Sequence, residues 1–247
     1  MSFAIFSDIH GNLEALEAII KHAKKNRKVK QIYFVGDAIT FGPDSSACLK
    51  LLKKHNIKCV VGNHEQRVVR YDKAVKTLTY ASADHMRYVF SQLDREDIHF
   101  IKTMPTTIKI NYKGVNILFS HYAHDENGVI RDDYDEFTEA QLNKLFGDSN
   151  CDVVFFGHIH KRKIIIEENG KSFVCLGASG CVKGDKTFYT LFDTTNHYGA
   201  DSNFDIYRVN IKFNRKKFDE KILNTPLPGR DKYAEFCFGI EVGEKEK

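Results

Sequence analysis

Asp8 and His10 stand two positions apart in "IFSDIHGN", at the end of a short apolar run and immediately before Gly11 and Asn12. An aspartate and a histidine so placed can cap a helix, satisfy a core hydrogen bond or hold a metal ion, and the pair alone leaves all three open. The arrangement recurs. Gly36-Asp37 closes "QIYFVGD", Gly62-Asn63-His64-Glu65 follows "IKCVV", Ser120-His121 closes "VNILFSH", and Gly157-His158-Ile159-His160 follows "CDVVFF". A Gly-Asp pair is an ordinary turn and a Ser-His pair an ordinary core histidine. "GNHE" and "GHIH" are more specific, because consecutive polar side chains directly after a buried strand have no packing purpose. Five of the eleven histidines fall in these motifs. Asp, Asn and His together are the donor types of a transition-metal site.

The elements that must position these residues are legible from periodicity. Residues 3–7, 31–36 and 57–62 read as short buried strands, and 12–26 and 44–56 as helices with apolar residues at helical spacing. Asn12 is the candidate cap of the first helix, and Asp44 or Ser45 of the second. Strand-helix-strand-helix-strand implies parallel strands joined by right-handed crossovers. In such a sheet the C-terminal strand ends form the ligand-binding edge, which is where all five motifs stand. Residues 64–104 read as helical and polar, with Asp94 and Asp97 a poorer capping box than Ser or Thr with Glu. After that the chain changes character. Two hairpins are expected, over Lys113-Gly114 and Asn169-Gly170, with a helix at 136–146, a buried strand at 151–158, further strands in "TFYTLFD" and "FDIYRVNIKF", and a last helix at 215–224. The pattern predicts an α/β protein with two packed sheets, one domain over residues 1–240, and a disordered tail at 241–247.

The 247 residues carry 37 basic and 33 acidic side chains, a net charge of +4 that demands neither nucleic acid nor a membrane surface. The six cysteines include no C-x-x-C pair and sit in apolar company, as reduced core residues do. No signal peptide and no membrane-length apolar run is seen, so the expected location is the cytoplasm. The basic runs at 21–30 and 214–217 read as solvated faces. Arg67 is expected on the surface, His124 in a solvated loop, and Asp44 as a cap.

The series D-x-H, G-D, G-N-H-E, H and G-H-x-H resembles the calcineurin-like metallophosphoesterase superfamily over residues 1 to 195. "SDIHGNLEALEAI" and "GDAITFGPD" are similar to its small bacterial and archaeal phosphodiesterase-type members. The resemblance implies two mixed sheets flanked by helices in four layers, an α+β sandwich. It implies two divalent transition-metal ions (manganese, iron, zinc, nickel or cobalt), one held by Asp8, His10, Asp37 and His160, the other by Asp37, Asn63, His121 and His158. Asp37 would bridge them, since one carboxylate can ligate two ions. His158 and His160 would share a face on an extended strand, so serving separate metals requires a bend, expected at Gly157. Such centres hydrolyse phosphate esters through a metal-bridging hydroxide. His64 would be the general acid or a donor to a phosphate oxygen.

Two departures from the family pattern stand out. The protein-phosphatase branch has an Asp-Arg pair after its "GD" turn, where this chain has Ile39, Thr40 and Phe41. The aspartate that would orient His64 and the arginine that would grip a phosphoprotein are absent there, which argues against a protein phosphatase. Where related phosphodiesterases have an Asn-Pro-Gly-Ser turn, this chain has "LGASGC" at 176–181. The reading is therefore a phosphodiesterase acting on a small or nucleotide-like ester. The alternatives are a diadenosine-polyphosphate hydrolase or nuclease, and a non-catalytic interaction module.

Overall fold

Strand β1 (Ser2–Phe6) is buried along its whole length, and this sets the layering. Phe3 and Ile5 enter one apolar cluster while Ala4 and Phe6 enter another. A strand with no solvated face must be covered on both sides. The chain is described from a computed structural model, over residues 2–71, 79–131, 138–146, 150–166, 171–194 and 204–243.

From β1 the chain runs through α1 (Leu13–Lys25), β2 (Val29–Val35), α2 (Ser45–Lys54) and β3 (Lys58–Val60). The three strands are parallel. Three helices follow, α3 (Asn63–Val69), α4 (Tyr80–Gln92) and α5 (Arg95–Thr103). Leu16, Ile19 and Ala23 of α1, Leu49 and Leu52 of α2, Met86 of α4 and Ile101 of α5 pack one face of this sheet. A second sheet contains β4 (Thr107–Tyr112), β5 (Val115–Ser120), β6 (Val153–Phe156), β7 (Lys163–Ile166) and β8 (Ser172–Cys175), in the order β4-β5-β6-β8-β7. Helix α6 (Glu139–Phe146) covers its outer face, with Leu142 and Phe146 against Phe156 and Phe173.

The chain then returns. β9 (Lys186–Asp193) pairs antiparallel with β1, and β10 (Asp205–Lys212) pairs with β9, giving the first sheet the order β10-β9-β1-β2-β3. Both sheets are thus mixed, with helices on the outer faces, as expected. Between them lies a cluster drawn from both, including Phe3, Ile5, Val35, Phe119, Phe155 and Phe192. Tyr33 of β2 stacks on Phe119 of β5 across this seam, with ring centroids 4.2 Å apart and planes 7° apart.

The β4–β5 hairpin turns on Lys113 and Gly114, both at positive φ as a two-residue hairpin turn requires. β7 and β8 are antiparallel, while the turn expected at Asn169-Gly170 lies outside the described residues. The helix expected from 136 is described from Glu139, and the tail expected from 241 lies outside the described residues from 244. Two cap expectations are corrected. Asp94 and Asp97 do form a reciprocal capping box on α5, because Asp at N3 still reaches the cap N–H. Asp44 precedes α2 but makes no cap bond, because its carboxylate is held by Lys221 instead.

After α7 (Arg215–Asn224) a further helix, α8 (Arg230–Phe238), was not foreseen. Its usable signal was the glycine at each end: Gly229 (φ 77°) and Gly239 (φ 63°) take left-handed conformations that end helical segments. Phe218, Ile222, Ala234 and Phe238 give the α7–α8 pair its own small core. Lys217 and Lys221 of α7 reach the buried carboxylate of Glu14, tying the pair to α1.

Phe119 is fully buried in the seam, so Phe119→Ala is expected to cost about 3–5 kcal/mol, read as a lowered midpoint in denaturant unfolding.

Candidate metal centre

The backbone at the strand ends is held in conformations that side-chain-bearing residues seldom adopt. Nine described non-glycine residues have positive φ, and six of them (Asp8, His10, Asp37, Thr40, Phe41 and His158) surround one spot. Strain of this kind costs about 1–3 kcal/mol per residue and persists only where neighbours impose it. Here the loops after β1 and β2 impose it on each other. Asp8 N–H donates to Gly36 O (3.0 Å), Ile9 and His10 N–H to Asp37 O (2.8 and 3.0 Å), and Gly11 N–H to Ala38 O (2.8 Å).

Glu65 supplies the second restraint. Its carboxylate, fully buried at the start of α3, accepts from the N–H of Asp37 (2.9 Å), Gly62 (2.9 Å), Ala38 (2.8 Å) and Ile39 (3.3 Å). Burial, with the neighbouring Asp37 charge, pushes its carboxyl up to about 7, and the backbone donors work against that rise. Sequence reasoning quoted "GNHE" without a role for its last residue. The signal was its N3 position, three after Gly62.

The seven expected ligands converge. Asp37 Oδ2 lies 3.1 Å from His121 Nε2, while Asn63 Oδ1 is 3.0 Å from His121 Nε2 and 3.2 Å from His158 Nδ1. On the other side of Asp37, His10 Nε2 is 3.9 Å from both Asp37 Oδ2 and Asp8 Oδ1. His160 Nε2 is 3.1 Å from His10 Nε2 and 3.7 Å from Asp8 Oδ1. Asp37 stands between the two groups. The bend that separates His158 from His160 is made at His158 itself (φ 67°). Gly157 serves differently: a Cβ there would collide with the side chains of Ser7 and Asp8.

The donor chemistry fits metal ions. His10 Nδ1 faces Ile39 O at 3.1 Å and His121 Nδ1 faces Val35 O at 2.7 Å. A carbonyl only accepts, so both Nδ1 atoms carry hydrogen and both Nε2 atoms turn to the carboxylates, the usual outer contact of a metal-ligating histidine. The site also draws positive charge. Burial pulls His121 down, but the Asp37 charge and hydrogen bond outweigh it and raise the imidazole to about 10. Burial pushes Asp37 up, yet the charge and hydrogen bond of His121 outweigh it and hold the carboxyl well below its usual range. Asp8 is raised by burial to about 6 despite His121 and His160 nearby.

His64 does have an orienting partner, contrary to expectation. Thr40 Oγ1 is 2.8 Å from His64 Nδ1 and 3.3 Å from His10 Nδ1. The Thr40 hydroxyl can donate its hydrogen to His64 Nδ1, an arrangement in which the neutral His64 ring carries its proton on Nε2. Burial keeps that ring neutral, pulling it down to about 3 against the attraction of Asp37. A hydroxyl thus stands beside His64 in the turn where the protein-phosphatase branch has an aspartate. The "LGASGC" turn is also structural: Ser179 and Gly180 N–H donate to Ser7 O (3.0 Å) and Asp8 O (2.9 Å), and Asn12, while capping α1, donates to Gly180 O. Cys181, read as a core cysteine, lies with its sulfur within 4.8 Å of ligand atoms of His10 and His160.

Asp37, Asn63, His64, His158 and His160 line a cavity of about 560 Å³. Arg67 lines it too rather than facing away, because α3 starts at the β3 end and points its first turns over the site. Lys232, Tyr233 and Phe236 of the unforeseen helix α8 complete the wall. His124 is not among the lining residues, and its backbone bridges to Ile130.

Glu65→Gln replaces an acceptor carboxylate by an amide with one donor end among four backbone N–H groups. Its expected effect is a loss of divalent-metal affinity of about 10–100-fold, measured by competition titration.

Comparison with known proteins agrees with this geometry. The family model described as calcineurin-like phosphoesterase matches residues 1–162. An uncharacterized protein of Methanocaldococcus jannaschii is 28% identical over 241 residues, covering 91% of this chain and 93% of its own length. A symmetrical bis(5'-nucleosyl)-tetraphosphatase of Haemophilus ducreyi is 27% identical over 124 residues, covering 49% of this chain, and the match spans 44% of that enzyme's length. Among solved structures, a metallophosphoesterase from Sphaerobacter thermophilus superposes with a TM-score of 0.68 at 18% identity, covering 95% of this chain and 99% of its own. A hypothetical protein from Pyrococcus horikoshii superposes at 0.75 with 15% identity, covering 98% and 99%. These two share the fold. With the family match spanning the strand ends that carry Asp8 through His160, the chain belongs to the calcineurin-like phosphoesterase family.

Proposed function

We propose that this protein is a dinuclear metal-dependent phosphodiesterase acting on a small or nucleotide-like phosphate ester. One observation carries the reading: seven donor side chains form two groups that share Asp37 at one side of a cavity. Asp8, His10, Asp37 and His160 would hold one ion, and Asp37, Asn63, His121 and His158 the other. Mixed imidazole and oxygen donors suit manganese, iron, zinc, nickel or cobalt. Bound there, two divalent ions supply the charge that receives a phosphate ester and the acidity that turns water into a nucleophile.

The chain's own groups do the rest. Asp37, fixed by the Glu65 network, orients both halves of the centre. His64 presents its Nε2–H towards the cavity and donates to a phosphate oxygen, with Thr40 holding the tautomer. Arg67 adds positive charge beside the path of an anionic ester. The missing Asp-Arg pair after "GD" supports a small ester over a phosphoprotein. A cytoplasmic location is supported by six cysteines that are all free thiols. A dinucleoside-tetraphosphate hydrolase is the second reading, favoured by the partial likeness to the Haemophilus ducreyi enzyme.

With manganese, nickel or cobalt, the protein is expected to hydrolyse bis-p-nitrophenyl phosphate and Asp37→Ala to lose that activity. Equal rates for the two would overturn the enzyme reading. A panel of diester, monoester, dinucleoside tetraphosphate and oligonucleotide then ranks the substrates, with the diester expected first. Thr40→Val keeps the side-chain shape and removes the hydroxyl. It is expected to lower kcat by about 10–100-fold, with the altered His64 tautomer visible in imidazole nitrogen NMR.

A further inference from the structure

The cavity lining combines metal-ligating groups and His64 with the aromatic rings of Phe41, Tyr233 and Phe236 and the cations Arg67 and Lys232. Phe41 is already engaged: its ring lies 4.5 Å from that of His10 and stacks on Tyr233 at 4.9 Å, with planes 28° apart. Tyr233 also meets His85 at 4.6 Å. Phe236, three residues after Tyr233 and so on the same face of α8, is different. The residue is 79% exposed, the most of the large apolar residues described, although it lines a cavity.

The helix that carries it is firmly held. His85 Nδ1 donates to Pro228 O (3.1 Å) just before α8, and Arg215 donates to Phe238 O (2.8 Å) at its end. α8 lies beyond the residues that the family model matches. A helix presenting an exposed aromatic side chain and a lysine one turn apart, on the wall of the cavity that Asp37 and His64 also line, suits one ligand chemistry. A nucleotide offers a flat base to the ring and an anionic phosphate to the cations. The volume, about 560 Å³, lies within the roughly 300–1,000 Å³ of small-molecule sites.

We infer that α8 forms a nucleoside subsite, in which the substrate's base stacks on Phe236 while its phosphate passes Lys232 and Arg67 to the centre at Asp37. This rests on the phosphodiesterase reading and narrows it to nucleotide diesters.

The test compares two diesters with the same leaving group, the p-nitrophenyl ester of thymidine 5'-monophosphate and methyl p-nitrophenyl phosphate, using manganese-loaded protein. Calorimetric titration with AMP gives a readout independent of turnover. The wild type is expected to prefer the thymidine ester in kcat/KM. In Phe236→Ala and Phe236→Leu that preference should fall about tenfold, mainly through KM, with AMP affinity falling in parallel. Phe236→Trp should retain both. If Leu performs as well as Phe, the wall is merely apolar and the stacking proposal is overturned. Equal losses on both esters, or an unchanged preference in an active enzyme, would also overturn it. If the wild type cleaves neither ester, the phosphodiesterase reading fails, and the AMP titration of wild type against Phe236→Ala still decides whether the subsite exists.

Discussion

The site depends on one buried carboxylate that is not among the residues lining the cavity. Glu65 gathers the N–H groups of Asp37, Ala38, Ile39 and Gly62 around its two oxygens and so fixes the turn after β2 to the start of α3. A carboxylate out of water is costly unless its acceptor sites are filled, and here backbone donors fill them. Asp37 is then aimed by its own backbone rather than by side-chain contacts alone. Its Oδ1 accepts from His64 N–H, which leaves Oδ2 towards His10 and His121. A single acid thereby orders residues from both halves of the centre.

The two sheets serve this arrangement by bringing strand ends together. β1, β2 and β3 deliver Asp8, His10, Asp37, Asn63 and His64 from one sheet, and β5 and β6 deliver His121, His158 and His160 from the other. The aromatic seam between them, with Tyr33 on Phe119, sets the distance across which these ligands meet. The close approach leaves no room for side chains at Gly157 or Gly180, where a Cβ would strike Ser7 or Ile9. Six strained non-glycine residues lie at the same place, held by the ladder between the loops after β1 and β2. Packing energy stored in the sandwich sustains a local geometry that the individual residues disfavour.

Around this centre, the C-terminal helix α8 supplies Lys232, Tyr233 and Phe236 to the cavity wall. Phe41 is the junction, stacked between His10 of the centre and Tyr233 of α8. One ring thus couples the placement of a ligand to the placement of the outer wall.

The strand ends were readable because their chemistry is local. Asp8, His10, Asp37, Asn63, His121, His158 and His160 each follow a buried run; residue type with spacing marks these strand ends, and the family resemblance carried by the motifs names them as a ligand set. The mixed two-sheet sandwich was readable for the same reason, since alternation and fully apolar runs follow from what each strand must bury. What the linear chain could not reveal are contacts between residues far apart in it. That Thr40 holds His64, that Arg67 turns into the cavity and that Cys181 lies beside His10 and His160 follow from the crossing of loops. The return of β9 to pair with β1 and the docking of α8 over the cavity are likewise tertiary. The sequence by itself determined the donor set and the elements that carry it, because those depend on the chemistry of neighbouring residues. Only the tertiary structure decided which hydroxyl meets His64 and which aromatic side chains line the cavity, because those depend on how separate surfaces pack.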